Sequence, residues 1–374
     1  MVYLILFGSM VFFAIISIMY NLKMKYITGL FFIILTLMSS LRYGSGTDYF
    51  SYMWHYNVNP TNIVDAVNLQ SNMNMGYRII MTIAKAINLE FESFIGIISI
   101  ITMITYMIII YKNSKMPMVS ILVFYGFYQP IYVNSAIRQG IAMVIFLVAF
   151  FYYFKKGKFF KYMILVGLGG LVHYSIFIAL IVPFIDYLYK KRFKDLKFNI
   201  IILLISLISF MLNGEMILVK LANFVGINIP YYSGNSNILA ILLRIILITI
   251  VFLLYVNSDK SLISEFDKKC IYIYFINTVI FIAVSNMEIL SRMTDFLSLL
   301  DIFIFANCIS NLKDKKFRVS ISFVLIFILT IVFCKDQISF LGQGNYFSNN
   351  LFDYPYVSIF NRDDIYKYRY IYLK

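Results

Sequence analysis

The chain has 374 residues, is 61% hydrophobic and only 13% charged, and has a mean hydropathy of +0.82, which excludes a soluble globular domain and makes it a polytopic membrane protein. Its formal charge of +14 rests on lysines gathered in short clusters between apolar runs. That pattern orients a protein in a bilayer, so nucleic acid is not an expected partner. The cysteines Cys270, Cys308 and Cys334 lie at the ends of apolar runs without ligand-like spacing and imply neither a disulfide nor a zinc site.

Residues 1–20 carry no basic n-region, and Lys23 and Lys25 follow the apolar run, so this segment reads as a retained first span. Further runs at about 26–40, 93–111, 118–133, 136–154, 160–172, 174–188, 198–212, 238–256, 270–285, 289–310 and 319–333 bring the prediction to roughly twelve crossings. The expected fold is an all-α polytopic membrane helical bundle, one integral membrane domain over 1–374. The basic clusters at 23–25, 112–115, 155–161, 190–197, 260–269 and 313–318 all fall on one side of this scheme, the cytoplasmic side. The termini, loop 41–92, segment 214–237 and the tail 335–374 are then external.

Residues 160–188 have lysine clusters on both flanks, so they must cross an even number of times. About 29 residues give only roughly 43 Å of helix. A re-entrant-like pair of short limbs is predicted, turning at Gly169, Gly170 and His173 near the outer surface, where such a dip must line a wet cavity or be buried in protein. Residues 76–89, with Arg78 and Lys85, predict an interfacial helix on the outer face, and 214–230, with Glu215 and Lys220, resembles it.

Candidate chemistry gathers first in residues 42–56, RYGSGTDYFSYMWHY. Gly44 and Gly46 allow backbone turns that bring Arg42 and Asp48 towards one site, and Tyr43, Tyr49, Tyr52, Trp54 and Tyr56 offer rings suited to sugars or a membrane interface. Asp48 is a candidate base; the alternative is a turn-capping aspartate. The arginines Arg42, Arg78, Arg138, Arg244 and Arg292 fall outside the membrane or in the outer half of spans, where an unpaired cation is costly, and together suggest a basic cavity open outward. Arg138 stands in NSAIRQG; its fork suits phosphate, with Asn134 and Gln139 as neutral donors, unless it merely pairs with Asp48 or Glu288. In SRMTDF, Arg292 and Asp295 lie three apart and could pair on one helix face, leaving Glu288 a free external carboxylate. Nothing polar surrounds Arg244 in the sequence. His173, alone in GGLVHYS, is either a hydrogen-bonded core residue or a base near neutral pH, and His55 reads as a surface residue. No D-x-D pair, phosphate-binding G-x-x-x-x-G-K-[ST] loop or H-E-x-x-H occurs, so no metal or other cofactor is expected.

RYGSGTDYFSY after the second span, NSAIRQG opening a later one, a histidine after a short apolar limb and a late SRMTDF together make the chain resemble the EpsG/Wzy-type polysaccharide polymerase family over about 30–305. Where relatives often place a Tyr-Phe pair after the late arginine, this chain has Asp295 and Phe296. The resemblance implies a fold like that of multi-span lipid-dependent glycosyltransferases. It also implies polymerisation of undecaprenyl-pyrophosphate-linked oligosaccharide repeat units into capsular polysaccharide or exopolysaccharide, at the outer face of the bacterial cytoplasmic membrane. Membrane lipid and other polysaccharide assembly proteins are the further partners it suggests. Pyrophosphate as leaving group calls for arginines, and the acceptor hydroxyl for one base, among His173, Asp48 and Glu288. A transporter or flippase of lipid-linked or anionic saccharide would use the same basic cavity but should show repeated halves or paired broken helices. A membrane acyltransferase would need a thioester path, for which the sequence has no sign.

Overall fold

Charge-free apolar runs dictate the first elements. Helix α1 (Val2–Tyr20) contains no ionisable carboxylate or ammonium and stops at Asn21, whose left-handed backbone (φ 52°) turns the chain into α2 (Lys25–Ser40). The computed structural model describes residues 1–211, 238–348 and 350–370; the expected outer segment 214–230 lies outside them. After α2 the chain forms three short helices at one end of the bundle, α3 (Tyr49–Val58), α4 (Ile63–Asn68) and α5 (Met75–Ala86), then returns through α6 (Phe91–Asn113). The amphipathic helix expected near 76–89 is α5; it buries Tyr77, Arg78, Met81, Thr82 and Ala84.

Helix α7 (Pro117–Phe127) starts on a proline, whose missing N–H costs nothing at that position. It ends in a π-helical turn over Gln129–Val133, where Pro130 cannot continue the ladder. The chain folds straight back into α8 (Ile137–Val148), and a Cβ on Gly140 would lie 1.8 Å from the Tyr132 carbonyl oxygen, so only glycine fits this return.

The short pair is present. Helix α9 (Phe159–Gly170) turns at Leu171–His173 into a 3₁₀ segment (Tyr174–Ile181) and α10 (Val182–Arg192). The return limb begins as 3₁₀ helix for a local reason. Pro183 has no N–H to give the Ala179 carbonyl, which accepts the Val182 N–H and the Tyr162 hydroxyl (2.6 Å). Helices α11 (Leu196–Met211), α12 (Ile238–Asn257) and α13 (Glu265–Val284) follow, the last opening on a Ser264–Asp267 capping box. The run expected as one span over 289–310 is two helices, α14 (Glu288–Ser298) and α15 (Asp301–Ser310). Helix α16 (Lys315–Gln343) has 29 residues, about 43 Å, longer than the roughly 30 Å of hydrocarbon it must cross. The tail expected from 335 therefore begins as helix.

The architecture is all-α. Among the described residues five helices are long and apolar enough to cross a membrane by length and composition, Val2–Tyr20, Phe91–Asn113, Ile137–Lys156, Ile238–Asn257 and Lys315–Gln343; α2, α7, α9 and α11 are shorter apolar helices. The lysine-bearing connections meet at one end. There Lys115 donates to the Leu262 carbonyl and Asn311 Oδ1 (2.8 Å each), and Lys155 donates to Asn113 (3.0 Å). At the other end the tail closes on the glycine stretch, with Tyr43 N–H on the Val357 carbonyl (2.8 Å) and Ile359 N–H on that of Leu41 (2.9 Å).

Candidate active site

The two motifs singled out in the sequence grip one another. Gly44 and Gly46 have φ of +66° and +98°, the turn their residue type permits. A Cβ on Gly46 would sit 2.3 Å from the Asn134 carbonyl oxygen, so RYGSG lies directly on NSAIRQG. Thr47 completes the clasp: its N–H donates to Ser135 Oγ (3.1 Å), and the two hydroxyls share a 2.5 Å hydrogen bond. Arg369 of the tail holds the loop from above, donating to the carbonyls of Gly44 (2.7 Å), Gly46 (3.0 Å) and Thr47 (3.3 Å).

Beside this clasp opens a cavity of about 180 Å³ lined by Gln139, His173, Tyr174, Ser175, Glu288, Ile289 and Arg292. Two tertiary bonds and one local capping bond fix its surroundings. Gln139 Nε2 donates to the Arg292 carbonyl (3.2 Å), tying α8 to α14. Gly76 N–H donates to the Leu171 carbonyl (2.8 Å), tying α5 to the histidine turn, and Ser175 N–H donates to His173 Nδ1 (3.4 Å).

Four of the expected site residues share one electrostatic neighbourhood. Asp48 feels Arg292 and Arg138, and so does His173. Asp48 starts α3 but makes no capping bond with its side chain, and among the described residues its carboxylate accepts only from Thr47 Oγ1 (3.2 Å). Surrounding protein mass raises its carboxyl above the ordinary range, and Thr47, Arg292, Arg138 and Arg369 only partly offset that. His173 shifts the other way, down to about 4, first through burial and then through Arg138 and Arg292, so its ring is neutral at pH 7. Because Nδ1 accepts the Ser175 N–H, the proton of the neutral ring belongs on Nε2.

Arg138 pairs with no carboxylate among the described residues. Its Nη1 donates to the Asn72 carbonyl (3.3 Å) and Asn74 Oδ1 (3.2 Å), and the guanidinium lies 5.9 Å from the centre of the Tyr52 ring. The pairing with Asp48 or Glu288 weighed from the sequence is absent. Arg292 pairs with Glu288, one turn earlier, instead of with Asp295, so Glu288 is not free; both side chains remain exposed. Asp295 turns inward to Arg244 (2.8 Å) and accepts the Tyr132 hydroxyl (2.5 Å). Arg244, which has no polar neighbours in the sequence, also donates to Ser298, which accepts from Asn277 (2.9 Å). The partners come from four helices and were invisible in a local reading.

The other expected residues do not line the cavity. Arg42 is 2% exposed and donates to the Ser39 carbonyl, Ser99 Oγ (2.8 Å) and the Val133 carbonyl (3.2 Å), so it joins α2, α6 and the π-helical turn. Tyr49 is fully buried, edge-on to Tyr43, Phe50 and Phe91. Tyr49, Tyr52 and Tyr56 face the core because they recur along one face of α3, and only Trp54, 51% exposed, presents a ring outward. Asn134 is buried and accepts from Gln129 Nε2 (3.4 Å). His55 is half-buried against Trp54, away from the cavity lining. Among the described residues no three His, Cys, Asp or Glu side chains come together as a metal site. Ser135 and Arg369 were missed; Ser135 sits inside a quoted motif, whereas nothing local marks Arg369.

No curated protein and no solved structure matches the chain. The family model for the EpsG family matches residues 25–355, wider than the stretch over which the motifs alone carry the likeness. This all-α membrane bundle, with its two motif loops locked together, therefore belongs to the EpsG family, whose members are polysaccharide-polymerase-type membrane proteins.

Proposed function

We infer that the protein is a glycosyltransferase that polymerises undecaprenyl-pyrophosphate-linked oligosaccharide repeat units at the outer face of the bacterial cytoplasmic membrane, making capsular polysaccharide or exopolysaccharide. One observation carries this reading: Arg138 has no carboxylate partner among the described residues and acts, with Arg292, on the charge of both Asp48 and His173. A cation left without counter-charge in a half-buried setting favours an anionic ligand, and a fork geometry favours phosphate oxygens.

The chemistry follows from the residues. An acceptor sugar hydroxyl attacks the anomeric carbon of the donor; the bond from that carbon to the pyrophosphate oxygen breaks, and its electron pair leaves with the lipid pyrophosphate. Arg138 and Arg292 face the charge that builds on the leaving oxygen. The hydroxyl proton goes to Asp48, whose raised carboxyl pKa suits a base and whose oxygens accept, among the described residues, only from Thr47. Glu288 is held by Arg292, and His173, with its proton on Nε2, is a hydrogen-bond donor to substrate oxygen.

The test is the carbohydrate profile of cells lacking the protein. Single repeat units accumulating on the lipid carrier and displayed at the outer surface support polymerisation. Repeat units confined to the inner leaflet would overturn it in favour of a flippase.

A further inference from the structure

The lysine end of the bundle holds a second site, which does not depend on the polymerase reading. Lys23, Lys25, Lys112, Lys115 and Lys155, from three separate connections, line one cavity of about 330 Å³. Several other lysines at this end are held by carboxylates: Lys190 and Lys269 share Asp186, Lys268 pairs with Glu265 and Lys313 with Asp259. The five around the cavity make no ion pair among the described residues. Lys112 donates to the Tyr152 hydroxyl (3.1 Å), Lys115 to neutral carbonyl oxygens, and Lys155 to Asn113. The single carboxylate in the lining, Asp267, is already engaged, one oxygen by Ser264 (2.6 Å) and the other by Asn307 (2.9 Å).

An apolar groove of about 520 Å³ adjoins this cavity and shares Lys25 and Tyr111 with it. It runs along the outward face of α2 past Tyr26, Gly29, Leu30 and Ile33, of which Tyr26 is 96% exposed and both Leu30 and Ile33 are 57% exposed. Tyr111 closes the boundary between the two by donating to the Lys25 carbonyl (2.5 Å). A Cβ at position 29 would lie 2.9 Å from that hydroxyl, so glycine keeps the groove open there.

We propose that this pair is a binding site for an anionic phospholipid of the cytoplasmic leaflet, with the headgroup phosphate among the five lysines and an acyl chain along the groove. Unneutralised ammonium groups favour a phosphate, and a basic pocket between helices on the cytoplasmic side is a setting in which anionic headgroups bind. The continuous apolar groove at bilayer depth distinguishes a lipid from a free anion.

The full-length protein, purified in neutral detergent, tests this by native mass spectrometry and melting temperature against phosphatidylglycerol, phosphatidylcholine and inorganic phosphate. Saturable binding and a raised melting temperature are expected with phosphatidylglycerol alone. Lys112→Gln/Lys155→Gln should weaken that binding about thirtyfold, from a contribution of roughly five- to sixfold per lysine. Lys268→Gln/Lys313→Gln, which removes the same charge from paired lysines at the same end, should leave it within about twofold. Melting in lipid-free detergent shows whether each variant is folded. Equal binding of phosphatidylcholine, equal loss in both double variants, or inorganic phosphate competing as strongly as the lipid would each overturn the proposal.

Discussion

Replacing Gly46 with alanine tests whether the clasp between the motif loops builds the site. The added Cβ would stand 2.3 Å from a backbone oxygen, that of Asn134, which cannot swing away as a side chain can. Reaching an ordinary carbon-to-oxygen separation of about 3.3 Å requires a retreat of roughly 1 Å. A shift of that size breaks the Thr47 N–H to Ser135 bond, now 3.1 Å, and the Arg369 bond to the Gly46 carbonyl, now 3.0 Å. Losing the neutral bond costs about 0.5 to 1.5 kcal/mol and the charged one about 1.5 to 3. The residue also keeps φ near +98°, a strain of about 1 to 3 kcal/mol for a residue with a Cβ. The sum, about 3 to 7.5 kcal/mol, is a large share of a typical domain's stability. Gly46→Ala should therefore shorten or abolish polymer and lower the melting temperature of the purified protein. Gly8→Ala serves as control, since no heavy atom lies within 4 Å of its added Cβ and a helical Gly-to-Ala change is worth up to about 1 kcal/mol in the favourable direction. An abundant Gly46→Ala protein with full-length polymer and unchanged melting would refute the clasp.

Three further outcomes follow from the geometry. Arg42→Ala should fail through low membrane abundance, because it strands buried acceptors on α2, α6 and the π-helical turn, and an immunoblot of membranes checks it. With Asp48 as base, activity should fall as pH drops through a pKa above that of an ordinary carboxylate. Arg292→Gln removes a cation that lowers this pKa, so the acid limb of the pH profile should move to higher pH; a shift to lower pH would count against Asp48. Asp295→Ala leaves Arg244 inside the bundle without its carboxylate and should cost about 3 to 5 kcal/mol, whereas Arg244→Met with Asp295→Leu should melt much nearer the wild type.

Much of the fold was legible because a bilayer imposes simple demands. Apolar length marks crossings, lysines mark one side, and the paired limbs at 160–188 follow from lysine clusters on both flanks. The helix boundaries that moved did so for local reasons: Pro183 turned one limb into 3₁₀ helix, and α16 ran on past its most apolar core. The two motif loops were legible too, but not their mutual grip. Side-chain partners depend on how each helix is rotated and on residues far away in the chain, so Arg42 proved a buried clamp and Arg244 found Asp295 across 51 residues. Tyrosines that looked like a sugar platform were the inward stripe of α3, and the tail's Arg369 carried no local signal at all.

The central claim is that Arg138 stabilises the departing pyrophosphate. Its most direct measurement is single-turnover formation of the glycosidic bond from lipid-linked repeat units by the purified protein in liposomes, comparing wild type, Arg138→Ala and Arg138→Lys at equal folded protein. Losing a donor aimed at developing charge costs about 2.7 to 4 kcal/mol, so the alanine variant should be about a hundredfold to a thousandfold slower. Lysine, a point charge in place of a fork, should stay at least about tenfold slow. Wild-type rates from the alanine variant, or full rescue by lysine, would contradict the account.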